Sequence, residues 1–124
     1  MLLVFYPWAF SRVCTGELAT LRDVRRSVEE RGARLWALSC DPVYALRAFA
    51  EAERLDYSLL SDFWPHGEVA AAYGVLDEAR GCPRRSSFLV DSEGVVRWSV
   101  HHEDSRARGI DDHLEALETL VGPV

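Results

Sequence analysis

The residues of this chain best suited to covalent chemistry are its three cysteines, Cys14, Cys40 and Cys82. An odd number at wide spacing forms neither a disulfide framework nor a paired metal-ligand knuckle, so each thiol is expected to have its own role. Cys14 stands apart by position. An apolar run from Leu2 to Tyr6 ends at Pro7, and a helical pattern opens near Cys14. Its sulfur would then lie close to unpaired backbone N–H groups at the positive end of a helix, where a thiolate is stabilised. The thiolate is the nucleophile, so a cysteine placed there can react near neutral pH without a metal. Absent other signals, a buried and inert cysteine is the commoner outcome, and the neighbours must decide between the two. His66, His101, His102 and His113 are scattered without the spacing of a metal site, and surface or capping roles are expected for them. In His101-His102-Glu103-Asp104 adjacent strand residues would face opposite ways, a poor shape for chelation. No metal and no cofactor are expected.

The elements that would position Cys14 follow from hydrophobic period and punctuation. Leu2 to Tyr6 is apolar throughout, as in a strand buried on both faces of a parallel sheet. From about Cys14 to Arg31, Leu18, Leu21, Val24 and Val28 recur at helical spacing, with Gly32 as a stop. Leu35 to Leu38 reads as a second buried strand. Asp41-Pro42 then offers an N-cap and a first-turn proline for a helix running to about Leu55. Leu59-Leu60 reads as a short strand and His66 to Tyr73 as a short helix closed by Gly74. Ser87 to Asp91 and Val95 to Val100 form a hairpin about Ser92-Glu93-Gly94. A last helix starts near Asp111 or Asp112 with Leu114, Leu117, Leu120 and Val121 on one face. Parallel strands joined by crossover helices and then an antiparallel pair predict an α/β protein with a thioredoxin-like fold, a central mixed sheet flanked by helices.

Composition sets the bounds. A chain of 124 residues suits one domain, 1–124, and 48% hydrophobic with 27% charged residues is ordinary for a globular protein. Fourteen Lys and Arg against twenty Asp and Glu give a net charge of -6, the wrong sign for gripping nucleic acid. The apolar opening is too short to span a bilayer and lacks the basic start of a signal peptide, so no membrane association and a cytoplasmic location are expected.

The segment Pro7-Trp8-Ala9-Phe10-Ser11-Arg12-Val13-Cys14 fits the pattern P-x-x-x-[ST]-x-x-C. It follows an apolar strand, opens a helix, continues as Thr15-Gly16-Glu17-Leu18, and is answered much later by an arginine before another strand. With these features the sequence resembles the peroxiredoxin family, and within it most resembles the one-cysteine, alkyl hydroperoxide reductase E type of actinobacteria. The likeness continues through Leu60-Ser61-Asp62-Phe63-Trp64-Pro65-His66-Gly67, Ala72-Tyr73-Gly74-Val75 and Arg85-Ser86-Ser87-Phe88-Leu89-Val90-Asp91, so it covers essentially the whole chain.

The resemblance implies a thiol-dependent peroxidase that reduces hydrogen peroxide and organic hydroperoxides through a cysteine sulfenic acid. Attack on an O–O bond needs a deprotonated sulfur, in-line approach and donors for the charge growing on the leaving oxygen. The family pattern gives these tasks to Cys14 as nucleophile, to the Ser11 hydroxyl, to backbone N–H groups such as those of Val13 and Cys14, and to Arg85 as the fixed cation. Serine stands at Ser11 where threonine is commoner. Pro7 would shield the thiolate, or simply end the strand. Arg84 competes with Arg85 on composition, and position relative to Phe88 favours Arg85.

The sulfenic acid must be reduced. Cys82, shortly before Arg85 in a Gly-Cys-Pro turn, is the better internal candidate and Cys40, at the end of the second strand, the weaker one. The resemblance favours instead an external thiol or redoxin, and no second cysteine stands five residues after Cys14. Trp8, Phe10, Phe63 and Trp64 are either plain core or a homodimer contact beside the site. Family members carry a hairpin and loop before the first parallel strand, so the resemblance implies an N-terminally shortened domain with an uncovered edge or face. A thioredoxin-like disulfide oxidoreductase is disfavoured because Ser11 stands where C-x-x-C needs its first cysteine. A redox sensor or non-catalytic interaction module is the alternative from another class, since a fold does not determine a function.

Overall fold

The computed structural model describes residues 1–102 and 110–121. Along the chain run β1 (Leu2–Phe5), α1 (Arg12–Glu30), β2 (Leu35–Ser39), α2 (Val43–Glu53), β3 (Ser58–Ser61), α3 (Glu68–Ala72), β4 (Leu76–Asp77), β5 (Cys82–Pro83), β6 (Ser86–Val90), β7 (Val96–His101) and α4 (Ile110–Val121). A five-stranded sheet has the order β3-β2-β1-β6-β7, and β4 pairs with β5 separately. β1 runs parallel to β2, and β2 to β3. β6 is antiparallel to both β1 and β7, which makes the sheet mixed, as the element order predicts.

β1 reads as a continuous apolar run because it is central and covered on both faces. Leu2, Val4 and Tyr6 enter one core with Leu18 and Leu21 of α1, Phe49 of α2 and Leu117 of α4. Leu3 and Phe5 enter the other with Ala70, Val75 and Phe88. The α1 stripe lands as its period predicts, with Leu18, Leu21 and Val28 buried and Val24 packed against them. Gly32 follows the helix with φ 81°, a left-handed conformation that glycine adopts without a Cβ clash.

Several expectations are corrected. Asp41 is not the cap of α2; Pro42 holds that position, and Asp41 is committed to the loop of β1. The helix after His66 is one short turn and a half, Glu68–Ala72, because Asp62 rather than His66 sets its start: the Asp62 carboxylate accepts the N–H groups of Val69 at 3.0 Å and Ala70 at 2.9 Å. His113 has no surface role. It is fully buried, with Nε2 2.7 Å from the Ser87 hydroxyl and its ring set edge-on to Trp98. The β4–β5 ladder was not anticipated, since two-residue strands carry no period. The hairpin stands where expected: Asp91 Oδ1 accepts the N–H groups of Glu93 and Val95 at 2.9 Å each. These bonds hold the Asp91 carboxyl below its usual range, the Val95 N–H first and Arg97 next. Leu117 is buried and Leu114 partly so, while the side chains of Leu120 and Val121, and all of Glu103 and Asp104, lie outside the described residues. No helix among the described residues is long and apolar enough to cross a membrane.

Candidate active site

The loop that delivers Cys14 is tied down at each step. The Tyr6 N–H reaches the Leu38 carbonyl at 3.1 Å, continuing the β1–β2 ladder past the end of the strand. The Ala9 N–H donates to Asp41 Oδ2 at 2.8 Å. Phe10 then takes φ 66°, a left-handed conformation that a bulky residue holds only when its surroundings demand it, at about 1–3 kcal/mol. Its ring packs on Phe49 with centroids 5.0 Å apart, which helps to hold the turn. Pro7, which opens this loop, is buried.

Ser11 is the N-cap residue of α1 in extended conformation, and its side chain makes no cap hydrogen bond. Its hydroxyl donates instead to the Trp8 carbonyl at 2.9 Å. That leaves lone pairs on Oγ able to accept a proton donor from a bound molecule. The first N–H groups of the helix, those of Arg12, Val13 and Cys14, have no carbonyl a turn earlier within the helix. Cys14 is thus in the first turn, its residue wholly buried in the core on the α1 face. No acidic residue occupies that first turn to oppose an anion.

Arg85 reaches the same face. Phe5 pairs with Ser86 and Val4 with Ser87, and side chains alternate, so Arg85 turns with Ser87 toward α1. Arg84 is exposed, whereas Arg85 is 2% exposed and forms a buried ion pair with Glu17. Cys14 and Glu17 are three apart on α1 and therefore share a helix face. The guanidinium that Glu17 holds is accordingly on the side of the sulfur. Arg85 also accepts the His102 N–H on its backbone carbonyl at 2.8 Å, which anchors the strand that carries it.

Two residues of this group carry no role in the sequence reading. Glu17 was visible only as the acidic continuation of the cysteine motif, and no period reveals its partner. Tyr6 is fully buried, and burial above all, with the charges of Asp41 and Cys14, pushes its hydroxyl well above the ordinary tyrosine range, while neighbouring Ser39 acts the other way. Ser39 itself donates to Asp41 Oδ2 at 2.8 Å, so the carboxylate that holds the loop also organises the floor beneath it.

Cys40 and Cys82 are the internal candidates for reducing an oxidised Cys14. Both are buried thiols, and no disulfide links them. Burial, then the charges of Asp62, Cys82 and Asp41, push the Cys40 thiol up to about 11. Cys40 thus has Cys82 as an electrostatic neighbour. Among the described residues no cluster of three or more His, Cys, Asp and Glu could hold a metal. Trp8 is half-buried, while Phe10, Phe63 and Trp64 are exposed, Trp64 by 83%, so plain core does not describe this aromatic group. With Val43 and Tyr44 they rim the loops that follow β1, β2 and β3. Depressions of about 410 Å³ between β7 and α4 and about 450 Å³ beside Met1 and Trp36 include none of the residues around Cys14. A small oxidant needs no such volume.

The chain is similar to known proteins over nearly its whole length. The AhpC/TSA family matches residues 1–99. The chain is 39% identical over 121 residues to alkyl hydroperoxide reductase E of Mycobacterium tuberculosis, covering 98% of this chain and 79% of that protein. It is 30% identical over 128 residues to thioredoxin peroxidase of Fasciola hepatica, covering 98% and 65%. Among solved structures, peroxidoxin BcpB from Mycobacterium tuberculosis superposes with a TM-score of 0.83 at 34% identity, covering 96% of this chain and 78% of that one. Enterococcus faecalis AhpC gives 0.90 at 31%, covering 96% and 72%.

Proposed function

The chain belongs to the AhpC/TSA family and is a thiol-dependent peroxidase, and we propose that Cys14 is the sulfur that attacks the peroxide. The observation that supports this most is the convergence on one face of the Cys14 helix start and the Glu17-held Arg85. A hydroperoxide enters beside Ser11, donating its O–H to Ser11 Oγ, and its oxygens accept from first-turn N–H groups of α1 and from Arg85. The Cys14 thiolate attacks the distal oxygen, the O–O bond breaks, and the departing alkoxide takes a proton to leave as an alcohol. Arg85 and the helix start stabilise the negative charge as it moves from sulfur to oxygen. Because Glu17 fixes the guanidinium, little reorganisation accompanies the step. Pro7 covers the site from below and keeps water from the sulfur.

An external thiol then attacks the sulfenic sulfur, releasing water and forming a mixed disulfide, and a second thiol restores Cys14. Hydrogen peroxide and organic hydroperoxides are both within this reading, and the exposed aromatic rim offers an apolar approach for the latter or a contact for a second copy of the chain. Consumption of hydrogen peroxide and of a small alkyl hydroperoxide should be at least a hundredfold faster for the protein than for Cys14→Ser, on the order expected when the nucleophile is removed. Equal rates near that of free cysteine would refute the assignment.

A further inference from the structure

Cys40 and Cys82 take no part in the chemistry above. β2 directs Ser39 toward Asp41 and Tyr6 on the α1 side, and alternation sends Cys40 the other way, toward the layer of α3, β4 and β5. Both residues are buried, Cys40 at 2% and Cys82 at 0% exposure. Backbone ties converge on them. The Asp62 N–H donates to the Ser39 carbonyl at 2.7 Å, next to Cys40, and the Gly67 N–H closes the loop on the Asp62 carbonyl at 2.9 Å. His66 Nε2 lies 2.6 Å from the Gly81 carbonyl, next to Cys82. One loop, Asp62 to Gly67, therefore clamps the end of β2 to the β4–β5 ladder and holds the two sulfurs within electrostatic reach.

We propose that Cys40 and Cys82 form a second redox site, a dithiol that closes into a Cys40–Cys82 disulfide independently of Cys14. With a hydroperoxide as oxidant, one thiolate of the pair attacks the distal oxygen, the O–O bond breaks, and the alkoxide leaves as the alcohol after taking a proton. The other sulfur attacks the sulfenic sulfur so formed, the S–O bond breaks, and hydroxide leaves with a proton as water. Both thiols are oxidised and one peroxide is reduced. Burial makes the site slow, since reaction waits on local opening of the two-residue β4–β5 ladder. Closure ties to the end of β2 the segment that leads through Pro83 and Arg84 into Arg85, so the pair reads sustained oxidation and reports it to the strand carrying the cation.

The test uses full-length Cys14→Ser, which separates this site from the peroxidase reading. The folded protein is exposed to excess hydrogen peroxide, denatured in an alkylating agent, digested and analysed by mass spectrometry. A peptide pair joining Cys40 to Cys82 is expected, resolved by reduction into two alkylated peptides, and Cys82→Ser in the same background should return Cys40 to the alkylated pool. Recovery of both cysteines alkylated, or oxidised separately to sulfinic acids, would overturn the proposal. Should Cys14→Ser not fold, the same mapping on the unsubstituted chain decides: a Cys40–Cys82 link supports the site, and a link from either to Cys14 refutes it.

Discussion

Cys14 and Cys40 are almost equally buried, at 0% and 2% exposure, and yet their surroundings are opposite. Cys14 stands in a helix first turn free of acidic residues, on the helix face that holds Arg85 through Glu17. Cys40 stands at a strand end, where burial above all, then the charges of Asp62, Cys82 and Asp41, push its thiol up to about 11. Burial alone therefore does not make a cysteine inert or reactive. With Cys14 proposed as the nucleophile, the sign of the fixed charge around each sulfur is what separates the two, and strand alternation sends Cys40 to the sheet face away from α1.

The largest test of that contrast removes the cation. Arg85→Met should lower the second-order rate with hydrogen peroxide by about 10²–10³, the range for loss of one preorganised transition-state donor, while native-state alkylation of Cys40 stays unchanged. Stopped-flow peroxide kinetics and peptide mapping read the two halves, and a parallel fall in both would mean that the faces are not separate. A smaller effect is expected for Glu17→Gln, which keeps an acceptor for Arg85 but discards the compensating charge. Chemical denaturation should show a loss of about 1–3 kcal/mol, with a rate decrease below that of Arg85→Met. A rate loss equal to that of Arg85→Met would make Glu17 as necessary as the cation.

The smallest effect concerns pH. The folded Cys40 thiol holds its proton more tightly than an unfolded one, so its contribution to stability is complete below the ordinary cysteine range and is lost as pH rises toward about 11. Cys40→Ala should therefore flatten the fall in the urea midpoint between pH 8 and pH 10. An unchanged slope would show that Asp62, Asp41 and burial do not hold that proton.

The elements around Cys14 were legible because they are long and periodic. Leu18, Leu21, Val24 and Val28 declare α1, and an apolar β1 ending in Pro7 declares the loop. Pairings that depend on tertiary register were not. Arg85 could be chosen over Arg84 by motif position, but only the β1–β6 register explains why one is buried and the other exposed. Chain proximity puts Cys82 near Arg85, and only the unanticipated β4–β5 ladder shows it paired with Asp77, with Cys40 as an electrostatic neighbour. Asp41 looked like a cap because it precedes a proline, and its carboxylate went instead to Ala9 and Ser39, a choice no local propensity records. His113 shows the same limit, since a polar residue at helical spacing gives no sign of the buried serine that receives it.

The central claim is that Cys14 alone becomes the sulfenic acid in the first turnover. Reduced protein mixed with one equivalent of hydrogen peroxide in the presence of dimedone, then digested and mapped by mass spectrometry, tests it directly. The adduct is expected on Cys14, with Cys40 and Cys82 still recovered as thiols. An adduct on Cys40 or Cys82 with Cys14 unmodified would contradict the account.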